Sequence, residues 1–282
     1  MAAKKYNRRT EDVGNILALE HVNVTVPDQS LATQFYVGGL GFTRDPYVDF
    51  GPANVWINAG DQQFHLPTGS PQVLRGRIGV VVPDLDELNA RLGRLGKKLT
   101  GTRFAFEPKR DHIDVTCPWG NRIRCHGPGT FDGTSLGIAY VQFDVPPGTT
   151  ERIGEFYRQI FHAPAETKGK TCSVSAGRRQ SLRFKECART PADYDGHHIA
   201  VYLANFSEPW RFLKDRDLIT EESDQHQYRF QTIVDPSSGE ALFDIEHEVR
   251  SLHHPMWDRH LVNRNPSQRL FDHRPGHDPF VP

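Results

Sequence analysis

Two histidines stand at matching places in two similar stretches, EHVNVTV from Glu20 and HHIAVYL from His197. Side chains alternate across a strand, so a histidine early in a buried strand can turn into a concavity. His21 and His198 are therefore candidate metal ligands. Along Leu242-Phe243-Asp244-Ile245-Glu246-His247 the even positions share one face, which offers Asp244 and Glu246 as carboxylate ligands. Glu246 is preferred for its longer side chain, with Asp244 as the alternative. Two histidines and one carboxylate make the facial triad used in non-haem Fe(II) chemistry, which leaves open positions for a chelating substrate and O₂. Mn(II) fits the same set.

Other residues could handle protons or developing charge. Tyr228 and Arg229 lie on the strand before the closing hairpin, and both are apt donors to a phenolate or oxyanion. His226 is a candidate proton shuttle, since a histidine near its ordinary pKa both takes and gives a proton. In HEVRSLHHPMWDRHLVNRNP, from His247, the residues His247, Arg250 and His253 are candidates for a lid or for substrate contact. HEVR is not HExxH, which sets zinc proteolysis aside.

These residues need elements to hold them, and the chain supplies a repeat. Four segments open alike, at Glu20, Gly76, Ala139 and His197, roughly 60 residues apart. Each begins with a β-branched alternating strand, then a polar or proline turn, then an amphipathic helix. Leu31, Phe35 and Tyr36 in the first helix, and Ile153, Phe156, Tyr157 and Ile160 in the third, form apolar stripes expected to face a core. The units end in strand-turn-strand patterns such as IDVTCPWGNRIRCHG and FQTIVDPSSGEALFDIEHE. The glycine- and threonine-rich stretch 127–137 marks a boundary between two halves. After about Glu248 the pattern gives way to an extended strap, with Trp257, Leu261 and Phe271 as expected anchors.

Bulk properties exclude several classes. Of the 282 residues, 37% are hydrophobic and 24% charged, which suits a globular chain. A net charge of -1 gives no large field to hold nucleic acid or an anionic membrane. Cys117, Cys125, Cys172 and Cys187 form no CxxC pair, so reduced thiols are expected. The start MAAKKYNRRTEDVGN has no apolar signal-peptide core, and no apolar run approaches the roughly 20 residues of a membrane helix. A cytoplasmic location is the expectation.

Over residues 16–250 the repeat resembles the vicinal-oxygen-chelate superfamily of glyoxalases, bleomycin-resistance proteins and extradiol dioxygenases. EHVNVTV with its helix and GLGF exit resembles the opening of such a module; CPWGNRIR and DPSSGEALFDI resemble its DPxGNxxE closing hairpin. The resemblance implies an α+β fold of four βαβββ modules in two tandem domains with cupped mixed sheets. Residues 15–130 would hold modules 1 and 2, residues 135–250 modules 3 and 4, and residues 251–282 the strap.

It also implies a metal inside a cup, held by the first and last strands of a unit. His21, His198 and a unit-four carboxylate look like the four-unit hydroquinone-type ring-cleaving arrangement. Common extradiol enzymes would take the first histidine from unit three, where this chain has Tyr140. Elsewhere Arg77 and Arg124 replace the expected histidine and glutamate, and His65 with His21 offers a second, alternative metal site. The function implied is an Fe(II) extradiol-type dioxygenase acting with O₂ on a catechol- or hydroquinone-like aromatic. The alternatives are a glyoxalase-like isomerase or lyase, and a non-catalytic small-molecule-binding protein of the resistance type. Four units can close two cups within one chain, so either a monomer or a homo-oligomer is compatible.

Overall fold

The computed structural model describes residues 6–48, 50–131, 133–188, 192–268, 271 and 273–280. It contains the four units in order. Unit 1 is β1 (Ile16–Asn23), α1 (Gln29–Thr33), β2 (Thr43–Arg44), β3 (Asn54–Ala59) and β4 (Gln62–Pro67). Unit 2 is β5 (Gly76–Val81), α2 (Leu85–Leu95), β6 (Ala105–Pro108), β7 (His112–Thr116) and β8 (Arg122–His126). Unit 3 is β9 (Gly137–Val145), α3 (Thr150–Gln159), β10 (Ala165–Lys168), β11 (Thr171–Ser175) and β12 (Ser181–Glu186). Unit 4 is β13 (His198–Leu203), α4 (Ser207–Lys214), β14 (Ile219–Asp224), β15 (Gln227–Val234) and β16 (Ala241–Ser251).

The strands form two eight-stranded mixed sheets, ordered β14-β15-β16-β13-β1-β4-β3-β2 and β10-β11-β12-β9-β5-β8-β7-β6. The partnership of the units differs from the expected one. Units 1 and 4 share one sheet and units 2 and 3 the other, so each sheet draws on both halves of the chain. The short stretch 127–137 leads from β8 directly into β9, which lies antiparallel beside β5. That leaves β1 and β13 with free edges, and they pair antiparallel with each other. All four opening strands carry the same alternating pattern, which cannot by itself say which two will meet.

Helices join what the sheets separate. Asp28 caps α1 by accepting from the Leu31 amide at 2.9 Å, and Asp84 caps α2 by accepting from Glu87 at 2.9 Å. The chain leaves α1 through a π-helical turn, Gln34–Gly39. A Cβ at Gly39 would lie 2.7 Å from the Leu95 Cδ2 methyl, so glycine lets this turn pack closely against α2. The expected aromatic stripes are core: Phe35, Tyr36, Ile153, Phe156 and Tyr157 are all fully buried. Phe156 reaches across to Phe230 of unit 4, with ring centroids 5.9 Å apart. Among the described residues, no helix is long and apolar enough to cross a membrane.

Candidate metal centre

β1 and β13 occupy the middle of the first sheet, flanked by β4 and β16. This brings together His21 from β1, His65 from β4 and His198 from β13, whose candidate ligand nitrogens all lie within 4.8 Å of one another. Ring centroids are 5.6 Å apart for His21–His65, 5.6 Å for His21–His198 and 6.4 Å for His65–His198. Ligands on opposite sides of an ion with bonds of about 2.1 Å stand about 4.2 Å apart, so the cluster is close to the span one ion needs.

Hydrogen bonds fix which nitrogen two of the rings offer. His21 Nδ1 lies 2.5 Å from Glu20 Oε2, and His65 Nε2 lies 2.7 Å from Asn54 Oδ1. Each of these contacts takes up one ring N–H. His21 Nε2 and His65 Nδ1 are left buried with no hydrogen-bond partner, and so is His198 Nε2. Three buried ring nitrogens without partners, on rings gathered in one small region, are costly unless a Lewis acid meets them. Carboxylate and amide partners on the far ring nitrogens are the usual outer support of a metal-binding histidine. The residues present therefore fit a metal ion.

Local backbone irregularity makes the arrangement possible. The β1–β13 register shifts between Leu19 and His21. This bulge lets Leu19 enter the core while Glu20 and His21, consecutive residues, both meet the site. Gln180, from the β11–β12 turn, satisfies the bulged backbone: its Oε1 accepts from Leu19 N at 3.1 Å and its Nε2 donates to Leu19 O at 2.9 Å. On β4, His65 stacks on Trp56 with centroids 4.0 Å apart and planes 14° from parallel.

A charged network surrounds the rings. Arg250 Nη1 donates to Glu20 Oε2 at 2.8 Å, and Arg250 Nε donates to Glu248 Oε1 at 2.6 Å. Arg229 donates to Glu248 Oε2 at 2.6 Å and to Glu246 Oε1 at 3.0 Å. Burial opposes the charge on Glu20, but Arg250 and His21 outweigh it and its pKa falls to about 2. Burial likewise opposes ionisation of Glu248, and His21, Arg250 and Arg229 still hold its pKa below the usual value. Burial, then neighbouring His21, pushes His65 down to about 2, and burial takes His198 well below its ordinary value. Neutral His65 and His198 and ionised Glu20 and Glu248 are forms that suit a bound cation.

The structure sorts the residues singled out from the sequence. His21 and His198 converge, and His65 joins the same cluster instead of forming a separate site. Glu246 lies 3.4 Å from His198 Nδ1, whereas Glu248 Oε2 lies 3.6 Å from the free Nε2. Strand pairing matches Ala200 with Glu248 and Asn23 with His65, which makes Glu248 the unit-four counterpart of His65. Asp244 is instead bonded to Thr232 at 2.8 Å. Arg229 and Arg250 face the site, so Arg250 belongs to its floor and not to a lid.

Tyr228 and His247 lie on the opposite, core face. Tyr228 is buried against Phe206, and His247 stacks on Phe230 and bonds the Tyr157 hydroxyl at 2.6 Å. Neither can serve as a catalytic donor or a lid. His226 and His253 sit side by side near the β14–β15 turn, ring centroids 6.5 Å apart, and no recorded contact joins them to the three histidines.

The strap packs back on units 1 and 4 beside the site, further along than expected. Trp257 packs on Tyr202 with ring centroids 4.8 Å apart, and Arg259 grips buried Asp45 at 2.9 and 3.2 Å. Asn263 exchanges hydrogen bonds with the Gly60 backbone at 3.0 and 2.9 Å. Leu261 lines the space beneath, while Phe271 is 94% exposed and anchors nothing. Under the strap lies a cavity of about 510 Å³, lined by Glu20, Gln63, Leu136, Tyr202, Trp257 and Arg259 among others.

The sequence matches no family model and no curated protein. Solved structures do resemble the fold. Glyoxalase I from Zea mays superimposes with a TM-score of 0.57 at 13% identity, over 83% of this chain and 92% of that one. A Bacillus subtilis protein provisionally named a dioxygenase superimposes with a TM-score of 0.55 at 14% identity, over 86% and 87% of the two chains. The chain has the vicinal-oxygen-chelate fold. Within this fold only one sheet gathers a cluster of three histidines among the described residues.

Proposed function

We propose that the protein is a metal-dependent oxidoreductase, an Fe(II) dioxygenase that opens a catechol- or hydroquinone-like ring. The observation that carries this reading is the trio of buried, unpartnered nitrogens, His21 Nε2, His65 Nδ1 and His198 Nε2. Glu248 is the carboxylate nearest the free nitrogen of His198 and the natural fourth participant. Mn(II) suits the same donors. Bound there, Fe(II) would supply open positions at which a vicinal or para-diol and O₂ are held together.

The chain's own residues do the rest. Glu20 and Asn54 hold the His21 and His65 rings with the required lone pairs inward. Arg229 and Arg250 anchor Glu248 by both oxygens, so it cannot swing away. The carboxylates Glu20, Glu221, Glu246 and Glu248 outnumber Arg229 and Arg250 around the rings, which favours a cation. Tyr202, Trp257, Leu136 and Leu261 offer an aromatic ring apolar contacts in a cavity that adjoins the centre through Glu20 and is otherwise lined by polar groups such as Gln63 and Arg259. The site is assembled within one chain, so activity in the monomer is expected.

The test is metal analysis of protein purified without oxygen, followed by oxygen uptake with a panel of catechols and hydroquinones. One equivalent of iron and substrate-dependent oxygen consumption are expected. Metal with turnover under anaerobic conditions would instead assign an isomerase or lyase, and a metal-free protein that still binds aromatic compounds would assign a sequestering module.

A further inference from the structure

The second sheet has a cup of its own, and its chemistry is inverted. Strand register relates the two: Gly79 pairs with Arg124 as Asn23 pairs with His65, and Gln142 pairs with Arg183 as Ala200 pairs with Glu248. The places of His21, His65, His198 and Glu248 are thus taken by Arg77, Arg124, Tyr140 and Arg183. Every lone-pair donor of the first cup is replaced by a hydrogen-bond donor, three of them permanently charged.

The groups are held together around Tyr140. A Cβ at Gly79 would lie 2.1 Å from the Tyr140 ring, so glycine there seats the ring on β5. The Arg183 guanidinium lies over that ring, 3.9 Å from its centroid, and His126 Nε2 lies 3.2 Å from its hydroxyl. Phe131 closes one side, 5.8 Å from Tyr140 and 5.1 Å from His126 between ring centroids. Asp114 pairs with Arg124 at 2.8 and 3.0 Å and stands 3.8 Å from Arg77; Asp144 pairs with Arg122 at 2.8 Å. Asp111 sits on the exposed rim beside His112. Four arginines thus face two carboxylates within the cup.

Arg183 is the group left over. It is half-buried, yet among the described residues no carboxylate lies within ion-pair distance of it, and its recorded acceptor is Ser181 Oγ at 3.2 Å. Arg77 Nε is buried without a partner. A guanidinium withdrawn from water needs a counter-charge. Next to its partners Ser181 and Phe131 a cavity of about 380 Å³, lined also by Ser173, Ser175, Glu166 and Arg179, has room for the body of a ligand.

We propose that the second cup binds a small oxyanion, the carboxylate or phosphate group of an organic acid or ester, between Arg77, Arg124 and Arg183 with the Tyr140 hydroxyl as a further donor. The site is separate from the histidine cluster and does not depend on its metal.

The test is calorimetric titration of the full chain with inorganic phosphate and, separately, with benzoate, at fixed ionic strength. Saturable binding of at least one is expected, and the one that binds distinguishes a phosphate from an aromatic carboxylate. Arg183→Gln should weaken it about 10-fold or more, as loss of a charge-assisted hydrogen bond does. Arg77→Gln should weaken it in the same sense, and His198→Ala should leave it unchanged. Circular dichroism confirms that each variant is folded. Absence of binding to either anion, undiminished affinity in both arginine variants, or heat that vanishes in His198→Ala would overturn the proposal.

Discussion

Glu248 and Glu246 are two residues apart on β16 and share Arg229, yet they should behave very differently when removed. The Glu248 side chain is 3% exposed, and its two oxygens are held by Arg229 and by Arg250, itself 5% exposed. Glu248→Ala leaves Arg250 with Glu20 as its carboxylate partner and Arg229 with Glu246 and the exposed Glu221. Breaking a buried pair by deleting one partner costs about 3–5 kcal/mol. Glu246 is 20% exposed; it pairs at 3.0 Å with Arg229, itself 23% exposed, and stands 3.4 Å from His198 Nδ1. A partly solvated pair of that kind is worth about 1 kcal/mol or less. The metal-free Glu248→Ala protein should therefore be less stable than Glu246→Ala by at least about 2 kcal/mol, a large share of a typical total of about 5–15 kcal/mol. Urea unfolding followed by circular dichroism measures the difference. If Glu246→Ala costs as much as Glu248→Ala, the assignment of Glu248 to the buried centre is refuted.

Three further outcomes are expected. Glu20→Gln should lower metal affinity about 10- to 100-fold by weakening the hold on His21, measured by competition with a chelator. Gln180→Ala removes both hydrogen bonds to the Leu19 bulge and should destabilise the fold by about 1–3 kcal/mol; an unfolding midpoint equal to wild type would contradict its role. Burial, helped by His112 and Arg124, lowers His126 from 6.5 to about 4. The unfolded chain then takes up a proton that the folded chain refuses, so this contribution is intact above about pH 6.5 and is lost as pH falls towards 4. His126→Gln should flatten the pH dependence of stability across that window, and an unchanged profile would refute it.

Much of this was readable in the chain, and the failures have physical causes. The four units were legible because each opening strand alternates and each helix carries an apolar stripe. Their partnership was not, since edges with one pattern pair equally well in sequence terms. His21 and His198 were visible as repeat-matched positions on opening strands. Glu248 was missed because the even-numbered face of β16 was followed only as far as Glu246, although the strand runs on to Ser251. The same parity places Arg250 in the site. Tyr228 shares its face with Phe230, a core residue, so the alternation that favours Arg229 excludes it. Glu20 was hidden by the bulge, which breaks alternation without any glycine to announce it.

The central claim is that three imidazoles from β1, β4 and β13 close on one ion. Anomalous diffraction from crystals of Mn(II)-loaded protein tests it most directly. A single peak bonded to His21 Nε2, His65 Nδ1 and His198 Nε2 is predicted, at bond lengths of about 2.0–2.2 Å typical of nitrogen ligands. A peak elsewhere, or no peak at full Mn(II) loading, would contradict it.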